Sequence, residues 1–304
     1  MKTTGSNSGH DLTTEVFLIL RRAFFLDSTE PIPFQLRDKR NTQDDPLDEY
    51  IAELLQTHLT TARCAKASGP LTTPDLVVFR PDQCQEATRS QLRDDLASIV
   101  AIEVKKLERT AQGSVARASG MDYNTTPPCG TVRVYDRAGA PLDIRGFYLF
   151  VCQEPVPGEP GTFRLSALCL CDGNLLNADF DYYLSIVGQR TKEIGLGTYG
   201  DGANRSRPML IFSNPLGAAL FDKRVTLIHP STQLQSLESS LALAHIVERT
   251  EVSGNVRTFY AYCHRTDAKI GEPIETLRDP FPTPQREVQT QRRGQFRLDL
   301  LVER

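Results

Sequence analysis

The segments Pro-Asp-Leu-Val-Val-Phe at residues 74–79 and Ile-Val-Ala-Ile-Glu-Val-Lys at residues 99–105 decide the fold. Both are short apolar runs rich in β-branched residues, a pattern that predicts buried strands. Side chains along a strand alternate between two faces. In the second strand Val100, Ile102 and Val104 therefore share one face, and Ala101, Glu103 and Lys105 share the other. If the strands pair, Asp75, Glu103 and Lys105 converge at one edge of the sheet.

The surrounding sequence predicts helices packed against this sheet. Helices are expected at 12–27, with Asp11 or Thr13 as the N-cap, at 46–62, at 180–188 and at 232–248, capped by Ser231. Further strands are expected at 131–135, 146–152, 163–171, 209–212, 257–263 and 295–302. The fold class is therefore α/β, with a central mixed β-sheet flanked by helices. We expect a single domain over 1–304 whose catalytic core spans roughly 45–175.

The composition indicates which classes of protein this sequence is compatible with. Hydrophobic residues make up 39% of the 304 and charged residues 24%, which is ordinary for a globular chain. A net charge of −3 neither marks a nucleic-acid binder nor excludes one, because phosphate attraction depends on local patches. The polar N-terminus and the lack of a long apolar run predict a cytoplasmic protein with no membrane partner. Seven scattered cysteines predict reduced thiols, and their spacing does not suggest structural zinc.

The two carboxylates and the lysine suit one kind of chemistry. Mg²⁺ prefers one or two carboxylates together with water and substrate phosphate. In phosphodiester hydrolysis the ion polarises the phosphoryl oxygen and activates a water, and a nearby cation helps to place that water. Lys105 lies two residues from Glu103 on the same strand face, so it is within reach of such a water.

Pro74-Asp75 followed by Glu103-Val104-Lys105 resembles the motif of the PD-(D/E)XK nucleases. The helix at 46–62 and the strands at 146–152 and 163–171 resemble that family's order of helix, sheet hairpin, helix and strand. The resemblance covers about a third of the chain. It implies a restriction-endonuclease-like core, Mg²⁺ held by Asp75, Glu103 and the Val104 carbonyl, and Lys105 orienting the attacking water.

Other candidate residues and motifs carry less weight. The family often adds an acid from the preceding helix, but Glu49 and Glu53 lie opposite the apolar stripe of 46–62 and are expected to be solvated. His58 falls within that stripe, and we expect it in the core. Pro81-Asp82 and Asp267-Ala-Lys269 repeat parts of the motif, the second of them in turn-like sequence. The segment Gly195–Gly200 has the letters of a dinucleotide loop but no strand before it, so no nucleotide cofactor is expected.

Three polar segments are candidates for DNA contact. Asn204, Arg205 and Arg207 follow a glycine-rich stretch, and arginine and asparagine can pair with base edges in the major groove. Asn124 lies in a second candidate, 117–133, and residues 291–293 form a third. An exposed polar loop is the simpler interpretation of each one alone.

The best interpretation is a Mg²⁺-dependent, sequence-specific double-stranded DNA endonuclease of the type II restriction class, acting as a homodimer. Symmetric dimers suit palindromic DNA sites. A DNA-repair or junction-resolving nuclease of the same superfamily is the alternative within the class. From outside the class, the chain could be a non-enzymatic DNA-binding protein with a chance motif, and a nucleotide-dependent oxidoreductase is the weakest option.

Overall fold

The computed structural model describes residues 11–41, 44–69, 72–110, 123–187, 196–197, 209–212, 215–216, 225–251, 253–268 and 271–278. Its helices are α1 (Leu12–Phe24), α2 (Pro46–His58), α3 (Pro81–Glu86), α4 (Arg89–Leu92), α5 (Gly173–Val187) and α6 (Leu234–Leu237). Its strands are β1 (Phe34–Gln35), β2 (Arg63–Lys66), β3 (Leu76–Phe79), β4 (Ile99–Glu108), β5 (Tyr123–Thr125), β6 (Thr131–Tyr135), β7 (Pro141–Pro155), β8 (Thr162–Asp172), β9 (Leu196–Gly197), β10 (Met209–Phe212), β11 (Val225–His229), β12 (Leu241–Thr250), β13 (Val256–His264) and β14 (Glu275–Leu277).

A large mixed sheet organises the described part of the chain. Its main path runs β14-β12-β13-β11-β8-β7-β4-β3-β2, while β1 pairs with β8 and β6 with β7. The pairs β4–β7, β8–β11 and β12–β14 are parallel, and the others along the main path are antiparallel. A second sheet has the order β5-β10-β9. The predicted fold class, α/β with a central mixed sheet flanked by helices, is confirmed.

The two faces of the large sheet bury different partners. Apolar residues of α1 and α2 pack on the face that presents Val100, Ile102 and Val104. On the opposite face, residues of α5 and of the small sheet pack against Tyr148, Phe150 and neighbouring strands. The predicted alternation along β4 is therefore confirmed, and it places Glu103 on the opposite side from the α1 and α2 contacts.

Helix α2 begins where its sequence favours a start. The side chain of Asp45 accepts a hydrogen bond from the Leu47 backbone N–H at 3.1 Å, and Pro46 occupies the first turn, where its missing N–H costs nothing. Asp11 caps α1 in the same way through Thr13. These caps satisfy backbone N–H groups at the N-termini of the two helices. The N-terminus of α2 lies beside β4, close to the site described below.

Several predicted elements need correction. The helix expected at 232–248 is wrong: only Leu234–Leu237 is helical, and the strand β12 follows. The helix expected at 180–188 forms the second half of α5, which begins at Gly173. The strand expected at 295–302 lies outside the described residues. Between β4 and β7 the described elements are β5 and β6, with residues 111–122 outside the description.

The seven cysteines are free thiols, as predicted. Both Cys169 and Cys171 are buried on the α5 side of β8, which confirms that they share a face. Within the described residues, none of the helices has the length and apolar character that a membrane span requires.

Candidate metal and active site

The candidate site forms where β3 starts beside the longer strand β4. The two strands pair antiparallel from Phe79↔Ile99 to Leu76↔Ile102, which meets the condition set in the sequence analysis. Continuing this register by one residue brings Asp75 opposite Glu103. Strand β4 runs on to Glu108, so the pairing stops in the middle of β4. We call this position the notch: the end of the β3–β4 pairing, with Asp75 on one side and residues 103–105 on the other.

The chain brings the two carboxylates and the lysine together in the notch. Asp75 Oδ2 accepts a hydrogen bond from the Val104 backbone N–H at 2.7 Å. Lys105 Nζ lies 2.8 Å from Glu103 Oε1, and both side chains are largely covered, at 24% and 13% exposed. The second oxygen of Glu103, Oε2, is buried and accepts no hydrogen bond. A buried carboxylate oxygen without a donor is costly, and a cation would satisfy it.

The electrostatics of Asp75 also favour a cation. Burial and, to a lesser extent, the negative charge of Glu103 raise the pKa of Asp75 to about 6. The Val104 hydrogen bond and the charge of Lys105 act in the opposite direction and do not cancel the effect. Two carboxylates held together in a partly buried position repel each other, and a perturbed pKa of this kind marks a candidate functional site.

Helix α2 adds an acid that sequence reasoning missed. Burial raises the pKa of Asp48 to about 8, and the charges of Asp45 and Asp75 contribute to the rise. Asp48 therefore lies close enough to Asp75 to sense its charge. A signal was available in the sequence, because Asp48 precedes Ile51 and Leu55 by three and seven residues and so lies on the buried stripe of the helix.

An ion pair fixes the start of α2 to β4. Lys106 Nζ lies 2.8 Å from Asp45 Oδ2 and 3.1 Å from Glu108 Oε1, and the lysine side chain is only 12% exposed. Asp45 is also the N-cap of α2. One side chain thus joins the cap of the helix to the strand that carries Glu103, which holds Asp48 close to the notch.

The glutamates considered from the same helix have other roles. Glu49 forms an ion pair with Arg37, whose Nε lies 2.7 Å from Glu49 Oε2. Glu53 is exposed. His58 is exposed as well, so its expected place in the core is wrong. The reason is that α2 ends at His58, and the apolar stripe passes to Leu59 beyond the helix.

Behind Glu103 the sheet is tightly packed. Tyr148 of β7 lies beside Glu103 in the parallel register, and burial together with the nearby Cys129 raises the pKa of its hydroxyl. A Cβ at Gly146 or Gly173 would overlap the backbone carbonyl oxygen of Cys129. These positions require glycine because two backbone segments are in contact there. The packing gives the strand that carries Glu103 a rigid support.

The residues predicted to contact DNA are only partly described. Asn124 lies in β5, pairs with Ile211 of β10, and is half-buried between two buried neighbours, Tyr123 and Thr125. Asn204, Arg205 and Arg207 lie outside the described residues, as do residues 291–293. Within the segment Gly195–Gly200, Leu196–Gly197 forms the short strand β9, and the rest lies outside the description.

The donors in the notch suit Mg²⁺ in kind and number. In the part of the chain that the structure describes, no group of three or more His, Cys, Asp or Glu side chains forms a ready-made cation cage. Mg²⁺ does not need one, since it usually keeps several waters and takes one or two carboxylates from the protein. Asp75 and the unsatisfied Glu103 Oε2 meet that requirement.

Comparison of the chain with protein-family models, with curated proteins and with solved structures gave no match.

Proposed function

We propose that this protein is a Mg²⁺-dependent DNA endonuclease that hydrolyses phosphodiester bonds with an activated water. The observation that carries the proposal is the notch itself. Asp75 and Glu103 are held together there, one oxygen of Glu103 has no donor, and the Lys105 ammonium lies 2.8 Å from the other. The resemblance of the same residues to the PD-(D/E)XK motif supports this assignment. On the same ground we propose that the core is restriction-endonuclease-like.

Each residue has a distinct role in the proposed reaction. Asp75, Glu103 and the Val104 carbonyl would hold Mg²⁺, and Asp48, once ionised, would add negative charge to the site. Bound Mg²⁺ would polarise the phosphoryl oxygen and lower the pKa of an attacking water. Lys105 would leave Glu103 when the cation takes over that charge. Its ammonium would then donate a hydrogen bond to the attacking water and orient it towards the phosphorus.

Within this class we propose a type II restriction enzyme that cuts double-stranded DNA at a specific sequence, works as a homodimer and acts in the cytoplasm. The length of the chain beyond the residues of the motif supports this choice, since segments outside the site are available to read bases and to form dimer contacts. Nothing in the notch calls for a nucleotide cofactor.

The test compares Asp75→Asn, Glu103→Gln and Lys105→Ala with wild type on plasmid DNA in Mg²⁺. Asp82→Asn is the matched control, because Pro81-Asp82 repeats the Pro-Asp letters on an exposed helix. Wild type and Asp82→Asn should cleave, and each notch variant should lose at least about a hundredfold in rate, or roughly 3 kcal/mol of transition-state stabilisation.

The pattern of products decides the finer proposal. Discrete fragments from plasmid DNA support the restriction enzyme, whereas cleavage confined to branched or damaged duplexes supports a repair or junction-resolving nuclease. No cleavage of any DNA by wild type, or equal cleavage by wild type and the notch variants, would remove the proposal.

A further inference from the structure

Strand β6 and the first part of β7 form a two-stranded ribbon at the side of the large sheet. The five residue pairs run antiparallel from Thr131↔Arg145 to Tyr135↔Pro141, and residues 136–140 make the turn. One face of this ribbon is apolar, with Val132 and Ile144 packed against Ala101 and the α4 residue Leu92. On the opposite face Arg133, Tyr135 and Pro141 are exposed, and Thr131, Asp143 and Arg145 are half-buried. We call residues 131–145 the β6–β7 ribbon.

The exposed face and the turn carry arginines and an aromatic ring. Tyr135 is 67% exposed, and the side chain of Arg133 is 59% exposed. Arg137 is exposed in the turn. Arginine together with an exposed aromatic residue is the composition that nucleic-acid surfaces use, because guanidinium groups bind phosphates and base edges.

The turn is held in one conformation. Asp136 Oδ1 accepts hydrogen bonds from the backbone N–H groups of Ala138 and Ala140, both at 2.9 Å. Gly139 has a φ of +78° and donates to the Asp136 carbonyl at 3.0 Å. A turn fixed in this way places Arg137 without a large ordering cost on binding.

Helix α4 adds positive charge next to the ribbon. Arg89 forms an ion pair with Asp136 and donates to the Pro141 carbonyl at 3.0 Å. Arg133 donates hydrogen bonds to both carboxylate oxygens of Asp143, at 2.8 and 3.1 Å, and these hold the pKa of that carboxyl below its usual range. The exposed Arg93 makes a smaller contribution in the same direction. Arg89 and Arg93 together with Arg133 and Arg137 make four arginines around Asp136 and Asp143. The third arginine of the ribbon, Arg145, is paired with the buried Asp172.

We propose that the β6–β7 ribbon docks in the major groove of duplex DNA, with Arg137 reaching base edges and Arg133, Arg89 and Arg93 binding phosphates. The major groove is about 12 Å wide and admits a two-stranded ribbon. This proposal rests on the nuclease function and names the surface that would hold the duplex beside the notch.

The ribbon and the notch are close enough to share one duplex. Tyr148 lies beside Glu103, and Pro141 precedes it by seven residues on the same strand. At about 3.3 Å per residue the two ends are at most about 23 Å apart. This is less than one helical turn of DNA, which is about 34–36 Å.

The experiment measures binding of the full chain to a fluorescent DNA duplex in Ca²⁺ over a series of salt concentrations. The variants are Arg133→Ala/Arg137→Ala and Arg137→Lys, and the matched control is Arg278→Ala, an exposed arginine paired with Glu248 on the far edge of the sheet. The double variant should bind at least about tenfold more weakly, and the slope of log K against log salt should become shallower by about 1 to 2. Arg137→Lys should keep most of the slope and lose sequence preference. Arg278→Ala should match wild type.

Two outcomes overturn the docking proposal: equal affinity and slope for the double variant and wild type, or equal binding of double-stranded RNA and DNA. Thermal melting of each variant confirms that it is folded. Cleavage in Mg²⁺ is assayed separately. If wild type cuts DNA and the double variant binds DNA with unchanged affinity and salt slope, only the docking proposal is overturned. If the protein binds DNA through the ribbon and does not cut it, only the proposed nuclease function is overturned.

Discussion

The Oδ2 atom of Asp75 lies 2.7 Å from the backbone nitrogen of Val104 and accepts its hydrogen bond. The carboxylate thus takes the place that a strand carbonyl would occupy if the β3–β4 pairing continued. One side chain both ends the pairing of the two strands and supplies the proposed metal ligand.

This double role predicts different effects for two substitutions. Asp75→Asn keeps an acceptor for Val104 and removes a carboxylate that Glu103 disfavours, so its free energy of unfolding at pH 8 should equal or exceed that of wild type. Asp75→Ala leaves the Val104 N–H without its acceptor and should be less stable than Asp75→Asn by about 1–3 kcal/mol. Urea unfolding at pH 8 without metal measures both, and equal stability of the two variants would contradict the prediction.

Stabilisation by Mg²⁺ should depend on pH. Because the folded-state pKa of Asp75 is raised to about 6 and that of Asp48 to about 8, protons compete with the cation at low pH. Without metal these two groups favour the folded state below pH 4, and that contribution is lost as the pH rises through 6 and 8. Apparent Mg²⁺ affinity from thermal melting should be on the order of tenfold higher at pH 8 than at pH 5.5.

The control is the pair Asp48→Asn/Asp75→Asn, which should melt with little dependence on Mg²⁺ at either pH. An equally large Mg²⁺ effect in that variant would show that the cation binds elsewhere.

Asp48 should contribute more to Mg²⁺ affinity than Glu49 or Glu53 of the same helix. At about pH 9, above the pKa of about 8 that burial gives Asp48, Asp48→Asn should weaken Mg²⁺ binding severalfold, because it removes a negative charge beside Asp75. Glu53→Gln, on the exposed face of the same helix, should leave the affinity unchanged. Isothermal titration with Mg²⁺ compares them, and identical affinities for all three proteins would exclude a role for Asp48.

A buried ion pair should be important for stability. Arg249 Nε lies 2.5 Å from Asp179 Oδ1, with side-chain exposures of 2% and 0%. Burial raises the pKa of Asp179 to about 7, and Arg249 limits the rise. Arg249→Met should cost about 3–5 kcal/mol at pH 8, because it leaves a buried carboxylate uncompensated. The loss should be smaller at pH 5, where Asp179 can be protonated, and a pH-independent loss would argue against this account.

The contact at Gly173 should not tolerate a side chain. Gly173→Ala places a Cβ against the Cys129 carbonyl oxygen and should cost at least about 2 kcal/mol in chemical denaturation. Gly69→Ala is the control, because a Cβ there meets no atom within 4 Å. If both variants unfold at the same denaturant concentration as wild type, the backbone contact is not as close as described.

The sequence predicted the centre of the fold well because its pattern was apolar and regular. Alternation along Ile99–Glu108 and the three-and-four spacing in Pro46–His58 specify one buried face each, and the structure has both. The pairing of β3 with β4 was a condition in the sequence analysis, and the structure has it. The metal and catalytic roles of Asp75, Glu103 and Lys105 stay a prediction.

The wrong prediction at 232–248 has a physical cause. Leucines at helical spacing continue into β12, but the residues that β12 buries in its second half are His245, Val247 and Arg249. Two of these three are polar, and the buried Arg249 donates hydrogen bonds to Asp179 of α5 and to the backbone carbonyls of Glu248 and Leu277. A partner seventy residues away is invisible to a local hydrophobic pattern. Asp48 lies on the buried stripe of α2, which the sequence shows, but two of the charges that act on it, Asp75 and Lys106, come from distant parts of the chain that the local pattern does not reveal.

Strand β3 has four residues and β4 has ten. This difference in length determines which insertions would leave Asp75 beside Glu103. The number of paired residues that follow Asp75, up to Phe79, determines where the Asp75 carboxylate lies relative to Glu103. Insertions at 68–73 would leave that count intact, whereas two extra paired residues in β3 would occupy the Val104 N–H and carry Asp75 away from Glu103. The length of the β3–β4 pairing therefore determines where the proposed metal ligand lies relative to Glu103.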